Sequence, residues 1–413
     1  MRSSSTDSSA SYAAEVARLL WPEPWDAPHV TRTRHRDGQP HRDAYLFPSE
    51  RRPRLLVPAD VPGSSSMLQR LGSGRGRLAG PVRGVLERSV RTRAFALTRW
   101  PMLRVPGADL GADSIETHLA ERFGAPVRVG VMLGTRRVNQ KPVLQVFDLD
   151  GRLLGYTKVG HNDLTAALVR READALTLVG DLDPTSFRVP KMLHHGRWNG
   201  LEVLVISALP SDSRRPVPPA ARLAAMDEVV RLAGTTRSIL ASSSFWDRVG
   251  QGLDEVALEP WGPRLRAAAD EIERRDGAEV VELGGWHGDW GHWNMGMGDG
   301  VLQVWDWERY DPAVPVGFDA LHFIAQAVRP GERDHRRQEE AFLQAVPGTL
   351  TQVGVDPHLH ALTLRLYLLE ISARYVEALT HGATPALQRR TSWALAMLER
   401  TPDEHPAPSR GRP

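Results

Sequence analysis

The sequence predicts an α+β chain with a small antiparallel β lobe carrying one helix, a larger mostly helical lobe after it, and an N-terminal extension in front. Three observations predict it. Between residues 126 and 210 apolar and polar residues alternate at the period of a half-buried strand. In that region the pairs Asp150-Gly151 and Asn199-Gly200 separate strand-like runs, where a tight antiparallel hairpin favours them. After Pro210 the apolar spacing changes to that of helices.

The chain has 413 residues, 41% hydrophobic and 25% charged, which is enough for sizeable cores in two or three domains. Residues 1–18 are rich in Ser and Ala and are expected to be disordered, as is the Pro-rich tail 401–413. In 19–125 Pro, Gly and Arg interrupt every periodic run, so an Arg-rich extension of short helices and irregular segments is expected. From Arg70 to Arg104 nine arginines face one acid, Glu87. The bland reading is a solvated face, and the sharper one a surface for phosphate groups or an anionic membrane. Regularly interleaved aromatics and a base-reading motif are missing, so no specific nucleic-acid partner is expected.

The β lobe, 126–210, begins with Val127, Val129, Val131 and Leu133 on one face of a strand. Strands near 143–149 and 153–159 follow, and a second hairpin spans 191–207, for a sheet of about five strands. With Asn162 or Asp163 as N-cap, Leu164, Leu168, Ala175, Leu176 and Val179 form the stripe of one helix. The helical lobe, 211–400, has candidate helices at 219–240, 263–275, 317–329, 334–345, 357–380 and 385–400, with a short β insertion near 290–306.

With no cysteine, disulfides, thiolate metal sites and thiol nucleophiles are excluded, so any metal is held by oxygen or imidazole. Since roughly 18 apolar residues nowhere run together, neither a signal peptide nor a membrane span is expected, and a cytoplasmic enzyme is the default. Net charge is +2, and lysine occurs only at 141, 158 and 191.

The densest chemical signal is Gly285-Trp286-His287-Gly288-Asp289-Trp290-Gly291-His292-Trp293-Asn294, followed by Val304-Trp305-Asp306-Trp307-Glu308. Phosphoryl transfer needs one carboxylate to orient the attacking hydroxyl, here Asp289, and oxygen ligands to hold Mg²⁺ on the phosphates, here Asn294 and Asp306. Asp299-Gly300 reads as a hairpin turn pairing Gly298 with Val301, which sets Asn294 opposite Trp305 with Asp306 next along. The ligand set is hard and all-oxygen, which suits magnesium better than zinc. Trp286, Trp290, Trp293, Trp307 and Glu308 cluster around the motif as candidates to line an acceptor pocket, or to pack the lobe.

Lys158 shares a strand face with Leu154 and Tyr156, an apolar setting that calls for an anion. Glu172 falls inside the apolar stripe of its helix, where a carboxylate also needs a partner. A buried Lys158–Glu172 pair, with the lysine reaching the α- and β-phosphates of ATP, satisfies both. The loop after Gly134 carries Arg136 and Arg137 but no Gly-rich phosphate motif, and backbone groups near Ser207 and Leu209 are candidates to pair with adenine.

At these residues the sequence resembles the aminoglycoside phosphotransferase and choline kinase family, which shares its fold with protein kinases. The resemblance spans about 126–400 and rests on HGDWGHWN, WDWE and Gly317-Phe318-Asp319. It implies a two-lobed protein-kinase-like fold with ATP and Mg²⁺ as cofactors. Asp289 would be the base, Asn294 and Asp306 the metal ligands, His287 the support of the catalytic loop and Asp319 its anchor. Lys158 and Glu172 would match the ATP-positioning pair. Tryptophan at 290 and 293 and His292 in place of a frequent proline depart from the common HGDLHPGN, so Trp290, His292 and Glu308 are acceptor candidates in a divergent subgroup. The expected activity is phosphorylation of a small hydroxyl acceptor, with a non-catalytic kinase-like nucleotide- or partner-binding module as the alternative.

Overall fold

The structure is a computed structural model and describes residues 4–33, 40–70, 84–85, 87–90, 95, 98–107, 109, 111–134, 140–210 and 215–400. It is α+β and divides into two compact units, Met1–Ala173 with Pro190–Ala208, and Asp174–Val189 with Leu209–Pro413. Among the described residues no helix is long and apolar enough to cross a membrane.

The first unit is built on a nine-stranded antiparallel sheet. Its strands are β1 (His29–Thr31), β2 (His41–Phe47), β3 (Leu55–Pro58), β4 (Met102–Pro106), β5 (Val127–Met132), β6 (Val143–Asp148), β7 (Leu153–Gly160), β9 (Met192–Trp198) and β10 (Leu201–Ser207), in the order β1-β4-β2-β3-β5-β6-β7-β10-β9. Period-two alternation divides its side chains between two cores. Leu46, Leu56, Val129, Val131, Leu144 and Val203 face one way, with the helices Ser4–Leu20 and Ile115–Phe123. Tyr45, Phe47, Leu55, Val57 and Phe147 face the other, with Phe95 and Met67. The hairpin between β9 and β10 turns through Asn199 (φ 46°) and Gly200 (φ 76°), the two positive angles a tight turn of this kind requires.

Two expectations are corrected here. Residues 4–18 are not disordered: they belong to the helix Ser4–Leu20, whose Ala13, Val16, Ala17 and Leu20 recur at helical spacing and are buried. Within the described part of 19–125 the expected short helices include Ile115–Phe123 and Pro62–Arg70, but β1 to β4 were not expected, and they continue the five predicted strands into one sheet. Their periodicity is masked in sequence because they are short and place charges inside. Arg104 donates twice to Asp43, both bonds at 2.7 Å, and Arg42 donates to the buried Glu116 at 2.5 Å. Arg104 is therefore part of a buried pair and not of a solvated face. Most of Arg70–Arg104, together with Arg136, Arg137 and the tail 401–413, lies outside the described residues.

The second unit holds the helices Pro219–Leu232, Ser244–Glu255, Gly262–Asp276, Phe318–Ala325, His335–Gln352, His360–Thr380 and Pro385–Arg400. The helix expected over 219–240 stops at Leu232, because Gly234 takes φ 87° and the chain continues as β11 (Thr236–Ile239). β11 pairs with β12 (Val280–Trp286), which pairs with β15 (Asp311–Pro315). A second small sheet joins β13 (Met295–Gly298), β14 (Val301–Val304) and β8 (Phe187–Arg188). One apolar core, including Phe245, Leu265, Trp286, Phe318, Leu366 and Trp393, packs the helices against β12.

Candidate active site

β12 runs through the core of the second unit and delivers the chain to His287, where Gly288 takes φ 81°. A Cβ there would stand 2.2 Å from the Arg309 carbonyl oxygen, so only glycine fits the close approach. Asp319, in the first turn of Phe318–Ala325, accepts the backbone N–H groups of His287 at 2.7 Å and Gly288 at 3.2 Å. Arg374 donates to the Gly288 carbonyl at 2.6 Å while its guanidinium lies over the Trp286 ring. Two side chains from two helices thus hold the backbone that aims Asp289. Burial raises the Asp319 carboxyl to about 7, against the opposing pull of the two amides and Arg374.

His287 is fully buried between Trp290 and Trp307, whose rings meet it edge-on. Its Nδ1 accepts the Asp289 N–H at 3.2 Å and its Nε2 lies 3.1 Å from the Trp305 carbonyl oxygen. Both bonds are satisfied by one neutral tautomer, with the proton assigned to Nε2. Burial also pushes its pKa down, in keeping with a neutral ring. The imidazole therefore ties the loop at 289 to the strand end that carries Asp306.

The Asp289 carboxylate is partly exposed, and Asn294 Nδ2 donates to its Oδ2 at 2.9 Å. The other oxygen lies 3.3 Å from Nε2 of His322, a buried histidine whose Nδ1 is 3.1 Å from the Tyr367 hydroxyl. Burial, the largest single influence, pushes the Asp289 pKa up, but the His322 hydrogen bond together with the electrostatic pull of His322 and His287 holds the carboxyl below the usual range. Burial pushes His322 down as well, so a neutral ring with its proton on Nε2 serves as the donor. That tautomer requires the Gln326 amide, 2.7 Å from the same nitrogen, to face it with oxygen, at the expense of the bond that this oxygen otherwise accepts from Arg390 at 3.3 Å.

β13 and β14 form the hairpin in the register predicted by its turn. Gly298 pairs with Val301, Met295 with Val304, and the Trp305 N–H donates to the Asn294 carbonyl at 3.1 Å. Asp306 follows at φ 72°, an unusual angle for a residue with a side chain, and it turns the chain out of the strand. Asn294 Nδ2 is committed to the backbone and carboxylate of Asp289, so its Oδ1 points to the opposite side of the amide. An amide oxygen beside the strand end that bears a carboxylate is a donor set suited to Mg²⁺.

In the first unit Lys158 sits on β7 between Val143 of β6 and Leu204 of β10, with Nζ 2.5 Å from the Glu172 carboxylate. Glu172 is fully buried on the helix Asp163–Asp181, which Asn162 caps by accepting the Thr165 N–H at 2.9 Å. Of the adenine candidates, Ser207 donates its N–H to the Lys191 carbonyl and accepts the Lys191 N–H at its hydroxyl. The Ser207 N–H is thus engaged within the sheet, and Leu209 begins the next stretch of the second unit.

The acceptor candidates divide. Trp290 is 1% exposed and Glu308 is buried, so Trp290 packs His287 and neither presents an open surface, whereas His292 and Trp293 are exposed. Sequence reasoning missed His322, Tyr367 and Arg374. Their signal was polar residues inside otherwise apolar helices: His322 lies one turn after Asp319, and Arg374 pairs with Glu370 four residues before it.

No protein-family model and no curated protein matches the chain in sequence. Solved structures to which it is similar include choline kinase LicA from Streptococcus pneumoniae, 16% identical with a TM-score of 0.42 over 68% of this chain and 99% of that one. A thermostable mutant of aminoglycoside phosphotransferase APH(4)-Ia is 16% identical with a TM-score of 0.43, over 69% and 97%. The aminoglycoside phosphotransferase APH(2")-IIa, in a ternary complex with streptomycin and ATP, is 11% identical with a TM-score of 0.43, over 70% and 97%.

Proposed function

We propose that this chain transfers the γ-phosphoryl group of ATP to a hydroxyl of a small polar molecule. The observation that carries the reading is the setting of Asp289, a partly exposed carboxylate kept ionised and aimed by His287, His322, Asn294 and the Asp319–Arg374 clamp.

The acceptor oxygen attacks the γ-phosphorus in line, forming the new O–P bond as the bond to the β–γ bridging oxygen breaks and ADP leaves with its electron pair. Asp289 orients the hydroxyl and takes its proton. Lys158, fixed by Glu172, binds the α- and β-phosphates, and its charge offsets theirs. Asn294 and Asp306 would hold Mg²⁺, which when bound neutralises charge on the phosphates. His287 and Asp319 touch no reactant and position the loop.

The test is Asp289→Asn in a magnesium-dependent assay of ADP release. Turnover should fall about 10²- to 10⁴-fold, the usual contribution of a positioned base, with ATP binding retained. Full turnover in that variant would remove Asp289 from the reaction. Failure of the wild-type chain to turn ATP over with any acceptor, despite binding it, would favour a non-catalytic nucleotide-binding module.

A further inference from the structure

Three side chains that pack together at the catalytic loop have no part in the reaction as described: Arg222 on Pro219–Leu232, His292 three residues after Asp289, and Phe323 next to His322. The Arg222 guanidinium lies over the Phe323 ring, 3.9 Å from its centroid, and the His292 ring meets the same phenyl edge-on at 4.6 Å. Arg222 Nε is buried with no hydrogen-bond partner, and no carboxylate pairs with this guanidinium among the described residues. An aromatic face attracts a cation but accepts no directed N–H bond, so the edge of the guanidinium keeps its donors for a ligand.

Carboxylates on nearby elements are otherwise engaged. Glu228 accepts from Thr185 and Ser186, Asp227 pairs with Arg231, and Glu370 with Arg374. Apart from Asp289, the charges acting on the ring nitrogens here are cationic: Arg222 bears on His292, and Arg374 and Arg390 on His322. Burial and Arg222 push the His292 pKa down, which leaves a neutral imidazole able to donate.

We infer that Arg222 and His292 form a subsite for an anionic group on the phosphoryl acceptor, which is therefore a hydroxy compound bearing a carboxylate or phosphate and not a polycation. The inference rests on the reading of Asp289 as base, since His292 belongs to the same loop. An oxyanion takes parallel N–H bonds from the guanidinium edge while Phe323 holds its plane, and His292 adds a donor. A polyamine acceptor would meet like charge.

The test is ADP release by the full chain with ATP and Mg²⁺, in separate arms with gluconate and glycerate, with glucose 6-phosphate and glycerol 3-phosphate, with glucose, and with kanamycin and choline. Release without acceptor reports on the phosphoryl-transfer site independently of the subsite. The anionic arms should raise it at least about tenfold and the cationic arms should not. Comparing carboxylates with phosphates identifies the preferred oxyanion. Arg222→Leu should raise the KM of the best anionic acceptor at least about tenfold, and Arg222→Lys should recover part of this. Arg231→Leu, an exposed position on the same helix, should match wild type.

Stimulation by the cations, by none of the anions, or an unchanged KM in Arg222→Leu would overturn the subsite. If no ADP is released under any condition, the phosphotransferase reading itself fails. Calorimetric titration of wild type and Arg222→Leu with gluconate and glucose 6-phosphate then decides the subsite, and equal or absent binding rules it out.

Discussion

Replacing Asp319 tests how the catalytic loop is held. In Asp319→Ala the N–H groups of His287 and Gly288 lose their acceptor inside the protein. Each unsatisfied buried donor costs about 1–3 kcal/mol, so the variant should lose about 2–6 kcal/mol. At about 2–4 °C per kcal/mol for a unit of this size, the transition should drop by at least about 4 °C. Asp319→Asn keeps an oxygen for one amide and presents its own N–H groups to the other, so about half the loss is expected.

The pH dependence separates this role from simple packing. The carboxyl is raised by burial from 3.8 to about 7, so its protonated form is the one folding favours. Its contribution to stability is fully present below the unfolded value and is lost as pH rises through about 7. At about 1.36 kcal/mol per unit, wild type should lose about 3 kcal/mol relative to Asp319→Asn between pH 5 and pH 8. Urea unfolding of both proteins across that range is the assay. Parallel stability curves, or an Asp319→Ala transition within about 1 °C of wild type, would refute the reasoning.

Other expectations follow from neighbouring contacts. Lys158→Met or Glu172→Leu each strands a buried charge and should cost about 3–5 kcal/mol in urea unfolding, whereas the double variant should regain most of that and still fail to bind ATP by calorimetry. Gly288→Ala should fold yet lose at least about tenfold in kcat, because its backbone angle and the Arg309 carbonyl both exclude a side chain; unchanged kcat would mean the loop tolerates the shift. His322→Phe should lower kcat by about tenfold or more with little change in the KM for ATP, since it removes the donor to Asp289 and leaves the phosphate contacts intact.

Much of the core of the site was legible because strong local rules govern it. Asp299-Gly300 fixed the hairpin register, and with it the placing of Asn294 opposite Trp305. The Lys158–Glu172 pair was legible because each charge interrupts an apolar face. The N-terminal region was not. Its strands are short, Pro-bounded and carry arginines whose partners, Asp43 and Glu116, are far away in sequence, so the alternation reads as surface. The pairing of Ser207 with Lys191 was not legible for a related reason, since it depends on a bulge between β9 and β10 that no local pattern announces. Trp290 read as an acceptor contact because indoles in a loop suggest stacking, yet its burial against His287 makes it a wall of the loop.

The most direct measurement is a crystal structure with Mg²⁺ and a non-hydrolysable ATP analogue. The account predicts one nucleotide contacted by Lys158 at its α- and β-phosphates, with the metal about 2.1 Å from oxygens of Asn294 and Asp306 and the γ-phosphate facing Asp289. A nucleotide bound elsewhere, or a metal that ignores Asn294 and Asp306, would contradict it.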